Sequence, residues 1–483
     1  MTTAEDARSQ VDLLIANIDW VLTLDPDRNV IRNGSIAVDD GRIVGVGSAQ
    51  EMAMAWQPSR TIDGRGRVAT PGFVDNHLHA SFQLSRGLAD EVNAQAFLFE
   101  RMYPYEGAMT EQDVYISSLL AGWELLSHGV TTFIDPGNYH PEQTVRACKE
   151  LGIRVIVARS TFDKSGSVLG LLPESMIDTT DEALAAAEAV LEEFGGPIDQ
   201  GWSASASFRG MNNSSDELIR GLHALAQKHD TFLQTHACFS YSTHDASVAQ
   251  CGQTEIARLE SLGVLDERML LVHGGWLEPA DIAHLIKHQP TVVHAPSSSV
   301  HNGYGNLEVG FIPELLELGV NVSLGSDHAS SGSVDMCNEM YLAACGHKET
   351  RLNPRVMPPE QVLEMATTNG AQGTGFGERL GSIEPDKLAD IVLFDATQPE
   401  WLPLYNPVSN LVYSAPGSTV DTVIVGGKAV VEGGHLATVD EDRIRGLVQT
   451  ASDEVLQRLD PERVISLKWP VTNHSLPVTT EDN

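Results

Sequence analysis

The sequence predicts an α/β fold, a (β/α)8 TIM-like barrel with a small composite β-sandwich domain. The first observation is a middle zone, residues 69–379, in which short apolar runs alternate with helical stretches about eight times. The second is that the flanking zones, 1–68 and 380–440, are both rich in strand patterns and glycine turns. The third is the length of 483 residues, which accommodates one large barrel and an appendage.

The first zone predicts strands of the β-sandwich. Residues 11–24, 34–47 and 61–69 are apolar runs joined by Gly and Asp turns. Within the second run, the segment DDGRI is a hairpin signal, because Asp-Gly favours a tight two-residue turn. One economical arrangement pairs these strands with those of the last zone, so that both ends of the chain form one sandwich beside the barrel.

The middle zone predicts the barrel itself. Two of the stretches between its apolar runs, 181–194 and 216–229, have the pattern of amphipathic helices. In such a barrel the active site lies at the carboxyl ends of the strands. After a first run that ends near residue 75, the predicted strands are 129–135, 154–160, 200–207, 231–237, 268–274, 290–296 and 320–327.

The last zone turns to strand patterns again. Residues 381–396 and 420–434 have alternating apolar residues and glycine turns, which predict further strands of the sandwich. Residues 441–467 resemble an amphipathic helix. We therefore assign residues 441–483 to a C-terminal helix and tail.

The composition excludes several classes of partner and compartment. A net charge of −35 and a pI near 4.7 argue against nucleic acid and anionic membranes, because phosphate binding needs clustered Lys and Arg. The first ten residues have neither the basic n-region nor the apolar h-region of a secretory signal, and no apolar run reaches about 18 residues, so neither a secretory signal nor a transmembrane helix is expected. The five cysteines are scattered and form no CxxC pair, which argues against a disulfide framework. The cytoplasm is the expected compartment.

Two histidines follow the first barrel strand. The segment PGFVDNHLHA places His77 and His79 two residues apart, so that both point to the same face of an extended chain. Two neutral imidazoles can chelate a divalent metal, although a chance pair on a polar surface explains the motif as well. Three further strand ends carry His236, His273 and Asp327. Because these ends meet at one mouth of the barrel, we expect the five side chains to converge.

This convergence predicts a catalytic metal site. His77, His79, His236 and Asp327 would hold one divalent transition metal, with water in the open position. The metal lowers the pKa of its water, and Asp327 could take the water's proton as general base. His273, just outside the ligand shell, could hydrogen-bond the atom that gains charge. A second metal would usually need another anionic ligand on a middle strand of the barrel, and the candidate strand, residues 200–207, offers none. Zinc, iron, cobalt and manganese all suit these ligands.

Six segments occur in this order: TPGFVDNHLHASFQLSRGLADE, GVTTFIDPG, RLESLGVLDERMLLVHGGWL, VVHAPSSSVHNGYG, GVNVSLGSD and GSIEPDKLADIVLFD. Together they resemble the amidohydrolase superfamily, in particular the branch of S-adenosylhomocysteine and guanine-type deaminases and triazine hydrolases. The resemblance covers roughly residues 10–435. It implies a barrel with a composite sandwich, one zinc or iron per chain with zinc first, and a homodimer or higher homo-oligomer.

The resemblance also assigns roles residue by residue. His77 and His79 match the paired histidine ligands, and His236 matches the third histidine ligand. Asp327 matches the metal-bound aspartate, and His273 matches the histidine of the following strand.

The chain differs from this branch at the position whose side chain usually transfers protons to the substrate. The branch usually has a glutamate three residues after the third histidine, where this chain has Phe239, which cannot transfer a proton. His328 follows Asp327, where the branch usually has a small residue, and His301 lies in a loosely matching motif. Either histidine could replace the missing acid, because imidazole titrates near neutral pH. The alternative is that both line the pocket or face water.

Further residues in the loops after the strands are candidates for substrate contact. Gln83 and Arg86 follow the paired histidines, and Arg209 follows the fourth strand. A loop salt bridge or turn explains these three equally well. Phe239 would place an aromatic wall near the metal, which favours an apolar or aromatic group of a small-molecule substrate.

Three functions stay open from the sequence. The first is a metal-dependent hydrolase that uses activated water to cleave a C–N bond other than a peptide bond, in an amide, urea, carbamate or ring substituent. The second is an aminohydrolase of a purine, pyrimidine or triazine-like ring with an atypical proton carrier. The third is a non-catalytic scaffold, which is disfavoured because all four metal ligands are present.

Overall fold

The computed structural model describes residues 8–459 and residue 469. The predicted C-terminal helix is confirmed over Glu441–Arg458. The helix ends at Arg458, one residue before the described segment ends at Leu459, and residues 460–467 of the predicted helix lie outside the described residues, as does almost all of the predicted tail. Within the described part of the chain, no helix is both long and apolar enough to cross a membrane.

The barrel consists of parallel strands in two sheets that continue into each other. The sheets meet at Ser205, whose N–H donates to Val157 O, while the next N–H, of Ala206, donates to Phe232 O. Trp202–Ala204 and Ala206–Gly210 are thus two segments of one strand. The barrel strands are Phe73–Asp75, Val130–Ile134, Arg154–Val157, the two-segment strand Trp202–Ala204 and Ala206–Gly210, Leu233–Ala237, Met269–His273, Thr291–His294 and Val322–Leu324.

The last barrel strand closes onto the first. The N–H of Asp327 donates to His77 O at 2.8 Å, and the N–H of His79 donates to Asp327 O at 2.8 Å. Gly325 permits this approach, because a Cβ there would lie 2.9 Å from His77 Cβ. The closed sheet brings the first predicted strand end directly beside the last one.

Helices cover the barrel, and both predicted helices are confirmed. Thr180–Phe194 begins with a capping box between Thr179 and Glu182, and it buries apolar residues at helical spacing. The α-helices are Ala49–Ala55, Ala94–Ala96, Tyr103–Gly107, Glu111–Ser127, Pro141–Leu151, Thr180–Phe194, Asp216–Lys228, Tyr241–Cys251, Glu255–Leu262, Pro279–His288, Pro296–Asn302, Asn306–Val309, Ile312–Glu317, Met336–Thr350, Pro359–Met365, Thr368–Gly373, Pro407–Tyr413 and Glu441–Arg458.

Strands from both ends of the chain form one nine-stranded sheet. The predicted DDGRI hairpin is confirmed, with Asp40 at φ 46° and Gly41 at φ 72° in its turn. The fold is therefore a (β/α)8 barrel with a composite β-sandwich domain. Its strands are Ser9–Leu22, Val30–Asp39, Arg42–Ser48, Trp56–Asp63, Arg67–Pro71, Ile391–Asp395, Val420–Val425, Lys428–Glu432 and His435–Leu436.

The two chain ends join where Arg67–Pro71 pairs antiparallel with Ile391–Asp395. The first of these strands runs past residue 68, where the sequence places the domain boundary. Of the predicted run 381–396, only the last part is a strand. The boundaries at 68, 380 and 440 stay predictions.

A buried ion pair ties the sandwich to the barrel. Arg154, in the third barrel strand, donates to both carboxylate oxygens of Asp390, at 2.8 and 3.0 Å. Both side chains are 4% exposed. Asp390 also accepts the N–H of Gly426. The pair therefore positions the C-terminal strands against the barrel.

Replacing Asp390 with alanine should lower the free energy of unfolding by about 3–5 kcal/mol, because it leaves the Arg154 charge buried without its partner. Urea unfolding followed by fluorescence measures this change. The control is Glu432→Ala at the exposed Arg60–Glu432 pair, where about 0–1 kcal/mol is expected. Equal losses in the two variants would contradict the role of the buried pair.

Candidate active site

Five side chains from four strand ends converge at one mouth of the barrel. His77 Nε2 lies 3.2 Å from Asp327 Oδ1, and His79 Nε2 lies 3.7 Å from the same oxygen. His236 Nε2 lies 3.1 Å from His79 Nε2. His273 Nε2 lies 3.9 Å from Asp327 Oδ2. The structure therefore brings together all the residues that the sequence assigns to the metal site and its immediate surroundings.

Hydrogen bonds behind these side chains fix their positions. Asp75 accepts the N–H groups of His77 and Ser326 and the hydroxyl of Ser326, so it joins the ends of the first and last strands. His236 Nδ1 donates to Arg209 O at 2.7 Å, which leaves Nε2 free to face the site. Such outer partners set the orientation and tautomer of a metal-binding imidazole.

Two of the converging residues have unusual backbones. His273 has φ 83° and Asp327 has φ 65°, the left-handed region that residues with a side chain rarely adopt. Non-glycine residues keep such a conformation only where their surroundings enforce it, and they cluster at functional sites. Ser298 Oγ also donates to Asp327 Oδ2 at 2.6 Å. The surrounding fold thus holds these two residues in a strained backbone conformation that directs their side chains into the site.

Burial and neighbouring charges set the protonation states. Burial lowers the pKa of His79 and His236 well below the usual value, and it lowers the pKa of His273 to about 4. For Asp327, burial acts to raise the pKa, but the facing imidazoles of His328 and His77 outweigh it and hold the pKa well below its usual range. Neutral imidazoles and an ionised carboxylate are the forms that bind a metal.

The cluster fits a divalent metal. One ligand atom each from His77, His236, His273 and Asp327 lies within 4.8 Å of the other three. Both ring nitrogens of His77 are buried with no hydrogen-bond partner among the described residues, as is Nδ1 of His273. Buried polar atoms normally have partners, and a metal would supply one here. His79 is close to this set, so both His79 and His273 are within reach of an ion.

A cavity opens above the cluster, and His79, His236, His273 and Asp327 are among the residues that line it. Its walls are mostly apolar and aromatic, which suits a small aromatic molecule. Phe239 lies against His273 and Tyr304, with ring centroids 5.5 and 5.3 Å away. The other aromatic wall residues are Phe82, Phe97, Phe99 and Tyr103.

Arg209 lines this cavity as half of a buried ion pair. Its Nη1 donates to Glu106 Oε1 at 2.7 Å and to Gly137 O at 3.0 Å. Burial raises the pKa of Glu106, although Arg209 acts against that rise. The pair therefore holds a charged guanidinium in the wall of the cavity.

The predicted substrate residues divide into two groups. Arg209, Phe239 and His328 line the cavity. Gln83 and Arg86 instead bond Glu124, while the side chain of His301 is 30% exposed and lies near Asp90. Within the described chain, these three are not among the residues that line the cavity.

Sequence reasoning missed several cavity residues. The aromatic residues Phe97, Phe99 and Tyr103 come from the short helical segments that span residues 94–107, after the first barrel strand. Glu255 also lines the cavity, although it begins the helix Glu255–Leu262 far along the chain from each histidine motif. No local pattern marks these residues, because only the packing of separate segments brings them to the site.

Known proteins are similar to this chain in sequence and in architecture. Residues 68–430 match the model of the amidohydrolase family. A 5-methylthioadenosine/S-adenosylhomocysteine deaminase from Syntrophobacter fumaroxidans is 32% identical, over 90% of this chain and 96% of the relative.

Solved structures agree with this match. A zinc-bound adenosine deaminase from Xanthomonas campestris superposes with a TM-score of 0.87 at 27% identity, covering 93% of this chain and all of that one. A zinc complex of atrazine chlorohydrolase from Arthrobacter aurescens TC1 shares the fold, with a TM-score of 0.82 at 23% identity over 91% of this chain and 100% of its own. The protein described here belongs to the amidohydrolase family.

Proposed function

We propose that the protein is a zinc-dependent hydrolase that releases ammonia or an amine from a ring carbon of a small aromatic heterocycle. The observation that carries this proposal is the convergence of the histidine–aspartate cluster at the floor of an aromatic cavity. The deaminase relative and the zinc-bound adenosine deaminase support the reaction class and the metal. Hydrolysis of C–N bonds other than peptide bonds is the common reaction type.

His77, His79, His236 and Asp327 would hold one zinc ion. When bound, the ion would lower the pKa of a water molecule and so supply a nucleophile near neutral pH. Asp327 accepts the proton of the attacking water, since its carboxylate is kept ionised. Neutral His273 donates a hydrogen bond to the atom that gains negative charge. The aromatic walls hold the ring and exclude bulk water.

A second candidate function is hydrolysis of an amide, urea or carbamate, or of a ring substituent that leaves as a stable anion. Phe239 favours the ring substituent, because this side chain stands beside His273 and has no proton to give to a departing nitrogen. The two candidates use the same water and the same base, and they differ in the bond that is cleaved and the group that departs.

A substrate panel distinguishes them. The zinc-loaded protein would be incubated with 5′-methylthioadenosine, S-adenosylhomocysteine, an aminotriazine, a chlorotriazine, a phenylurea and an anilide. Release of ammonia from the first three supports the aminohydrolase, while turnover of only the last three supports the second candidate. If none of the six reacts in the presence of stoichiometric zinc, the proposed function is wrong.

The roles of His79 and His273 can be separated. We expect His79→Ala to lose zinc and activity together. His273→Ala should keep zinc and lose about 10²–10³-fold in kcat, the usual cost of removing one donor to the developing charge. Metal analysis of the purified variants, alongside kinetics, measures both. If His273→Ala loses zinc and His79→Ala keeps it, His273 is a metal ligand and His79 is not.

We also propose a cytoplasmic homodimer. The family resemblance of the sequence supports the dimer, and the five free cysteines agree with a reducing compartment. Light scattering of the purified protein would give the mass of the assembly.

A further inference from the structure

We propose that Glu255 is the acid that protonates the leaving nitrogen, in place of a side chain at position 239. This inference rests on the proposed function, because it concerns the same site and the same C–N bond. It assigns a catalytic role to a residue that belongs to none of the strand-end motifs.

The position of Glu255 is the first support. It is the first residue of the helix Glu255–Leu262, it is 2% exposed, and it lines the cavity together with His273 and Phe239. Its Oε2 accepts the N–H of Cys238. Cys238 lies between the strand that carries His236 and the residue Phe239, so the carboxyl is held beside the segment where an acid is missing.

The other groups that line the cavity are poorly suited to the task. Asp327 is the only other carboxyl among the described lining residues, and it is engaged by Ser298 and the histidine cluster. Burial raises the pKa of Tyr103 to about 12 and the pKa of Tyr304 well above its usual value, so both hold their protons. Arg209 is committed to Glu106.

His328 is the remaining competitor. Its ring stacks on Phe97 with centroids 4.8 Å apart, and its Nδ1 lies within hydrogen-bond distance of the hydroxyls of Ser330 and Ser331. Its Nε2 lies 3.4 Å from Asp327 Oδ2, so both ring nitrogens lie beside partners within the protein and the ring is less available to a departing nitrogen than the Glu255 carboxyl.

The surroundings of Glu255 keep its carboxyl partly protonated near neutral pH. Burial raises its pKa to about 7, against the lowering effect of the Cys238 amide. Asp281 adds to the rise, and Arg258 opposes it. The Arg258 guanidinium donates to Asp216 at 2.6 and 3.0 Å, and to backbone carbonyls, so its bonds are made elsewhere. A carboxyl that is half protonated near neutral pH suits general acid catalysis.

The proposed step balances. As the water oxygen bonds to the ring carbon, one water proton passes to Asp327. Protonated Glu255 gives its proton to the exocyclic nitrogen, the C–N bond breaks, and ammonia or the amine leaves neutral. The proton on Asp327 then returns through water to the Glu255 carboxylate, which restores both groups.

Glu255→Gln tests this assignment, because the amide keeps the shape and can still accept the Cys238 N–H. The probes are an aminotriazine and the matching chlorotriazine, since chloride leaves without a proton. We expect kcat for the amine to fall about 10²–10⁴-fold. KM, zinc content and chloride release should each stay within a factor of about three, because this residue acts only on the departing nitrogen.

The pH profile gives a second readout that a structural role would not produce. Because Glu255 acts in its protonated form, amine release by the wild type should decline as the pH rises through about 7. Glu255→Gln should lack this decline. Glu255→Asp, which keeps an acid one methylene shorter, should retain it at a shifted pH.

Glu339→Gln is the matched control. Glu339 is fully buried, burial raises its pKa to about 8, and it accepts the N–H of Ser297, but it is not among the described residues lining the cavity. Its amine release should stay within a factor of about three of the wild type, because a buried acid outside the cavity cannot reach the substrate.

Three results would overturn the inference while leaving the proposed function intact. These are full amine release by Glu255→Gln, equal losses for amine and chloride, or an unshifted pH profile in Glu255→Asp. The second result would instead indicate that Glu255 only holds the turn at Cys238. If the wild type turns over none of the six substrates of the panel, the proposed function fails and this inference falls with it.

Discussion

Replacing His77 with alanine is expected to remove bound metal and hydrolytic activity together. The imidazole is fully buried, lies 3.2 Å from the Asp327 carboxylate, and has both ring nitrogens without a hydrogen-bond partner in the described part of the chain. Such a group is stable in the interior only with a partner for its lone pair. Loss of an outer partner of a metal ligand already costs about 10–100-fold, so loss of a ligand should cost more.

The measurement is the zinc content of the purified variant together with kcat/KM on the substrate that the wild type accepts. His223→Ala is the control, because His223 lies on the helix Asp216–Lys228 and bonds Asp266 away from the barrel mouth. The control should bind zinc and react like the wild type. A His77→Ala protein that keeps stoichiometric zinc, or that remains active, would refute the site.

Asp327→Asn should lower kcat by about 10²–10⁴-fold, the usual contribution of a general base. The substitution preserves the size of the side chain but removes its charge, and an amide oxygen cannot take a proton from water at neutral pH. The native carboxylate is kept ionised by facing imidazoles, which is the state a base requires. KM should change little, because the effect is on the chemical step.

Ser298→Ala provides a graded comparison for the aspartate. It removes the hydroxyl that donates to Asp327 Oδ2 and leaves the carboxylate itself in place. We expect a loss of about 10–100-fold, as for other outer partners of metal ligands. Steady-state kinetics on the same preparation measure both variants. If the serine variant loses more than Asp327→Asn, Asp327 is not the base.

The metal centre was accessible to sequence reasoning for a simple reason. His77, His79, His236, His273 and Asp327 each end an apolar run, and the ends of parallel barrel strands share one mouth. The location of these residues therefore follows from strand order alone. Which of His79 and His273 binds the ion depends on the placement of each side chain around it, and strand order does not contain that information.

The residues in the loops were less predictable. Gln83, Arg86 and His301 are near the right strand ends in sequence, yet within the described chain their side chains are not among those lining the cavity. Gln83 and Arg86 instead share the carboxylate of Glu124, which comes from the helix Glu111–Ser127. Loop side chains can bond to groups from several other segments, and local sequence spacing does not indicate which of these groups lies nearby.

By itself, the sequence determined the barrel, the composite β domain, the paired histidines and the aspartate, because strand periodicity and the closure of parallel strands are repeated local rules. Only the tertiary structure decided the aromatic cavity, the Arg209–Glu106 pair and the placement of Glu255 beside Cys238. Glu255 follows His236 by a helix and a loop, and only their packing returns its carboxyl to the cavity. The physical reason is that these contacts join segments distant in the chain, whose approach is set by how the whole core packs.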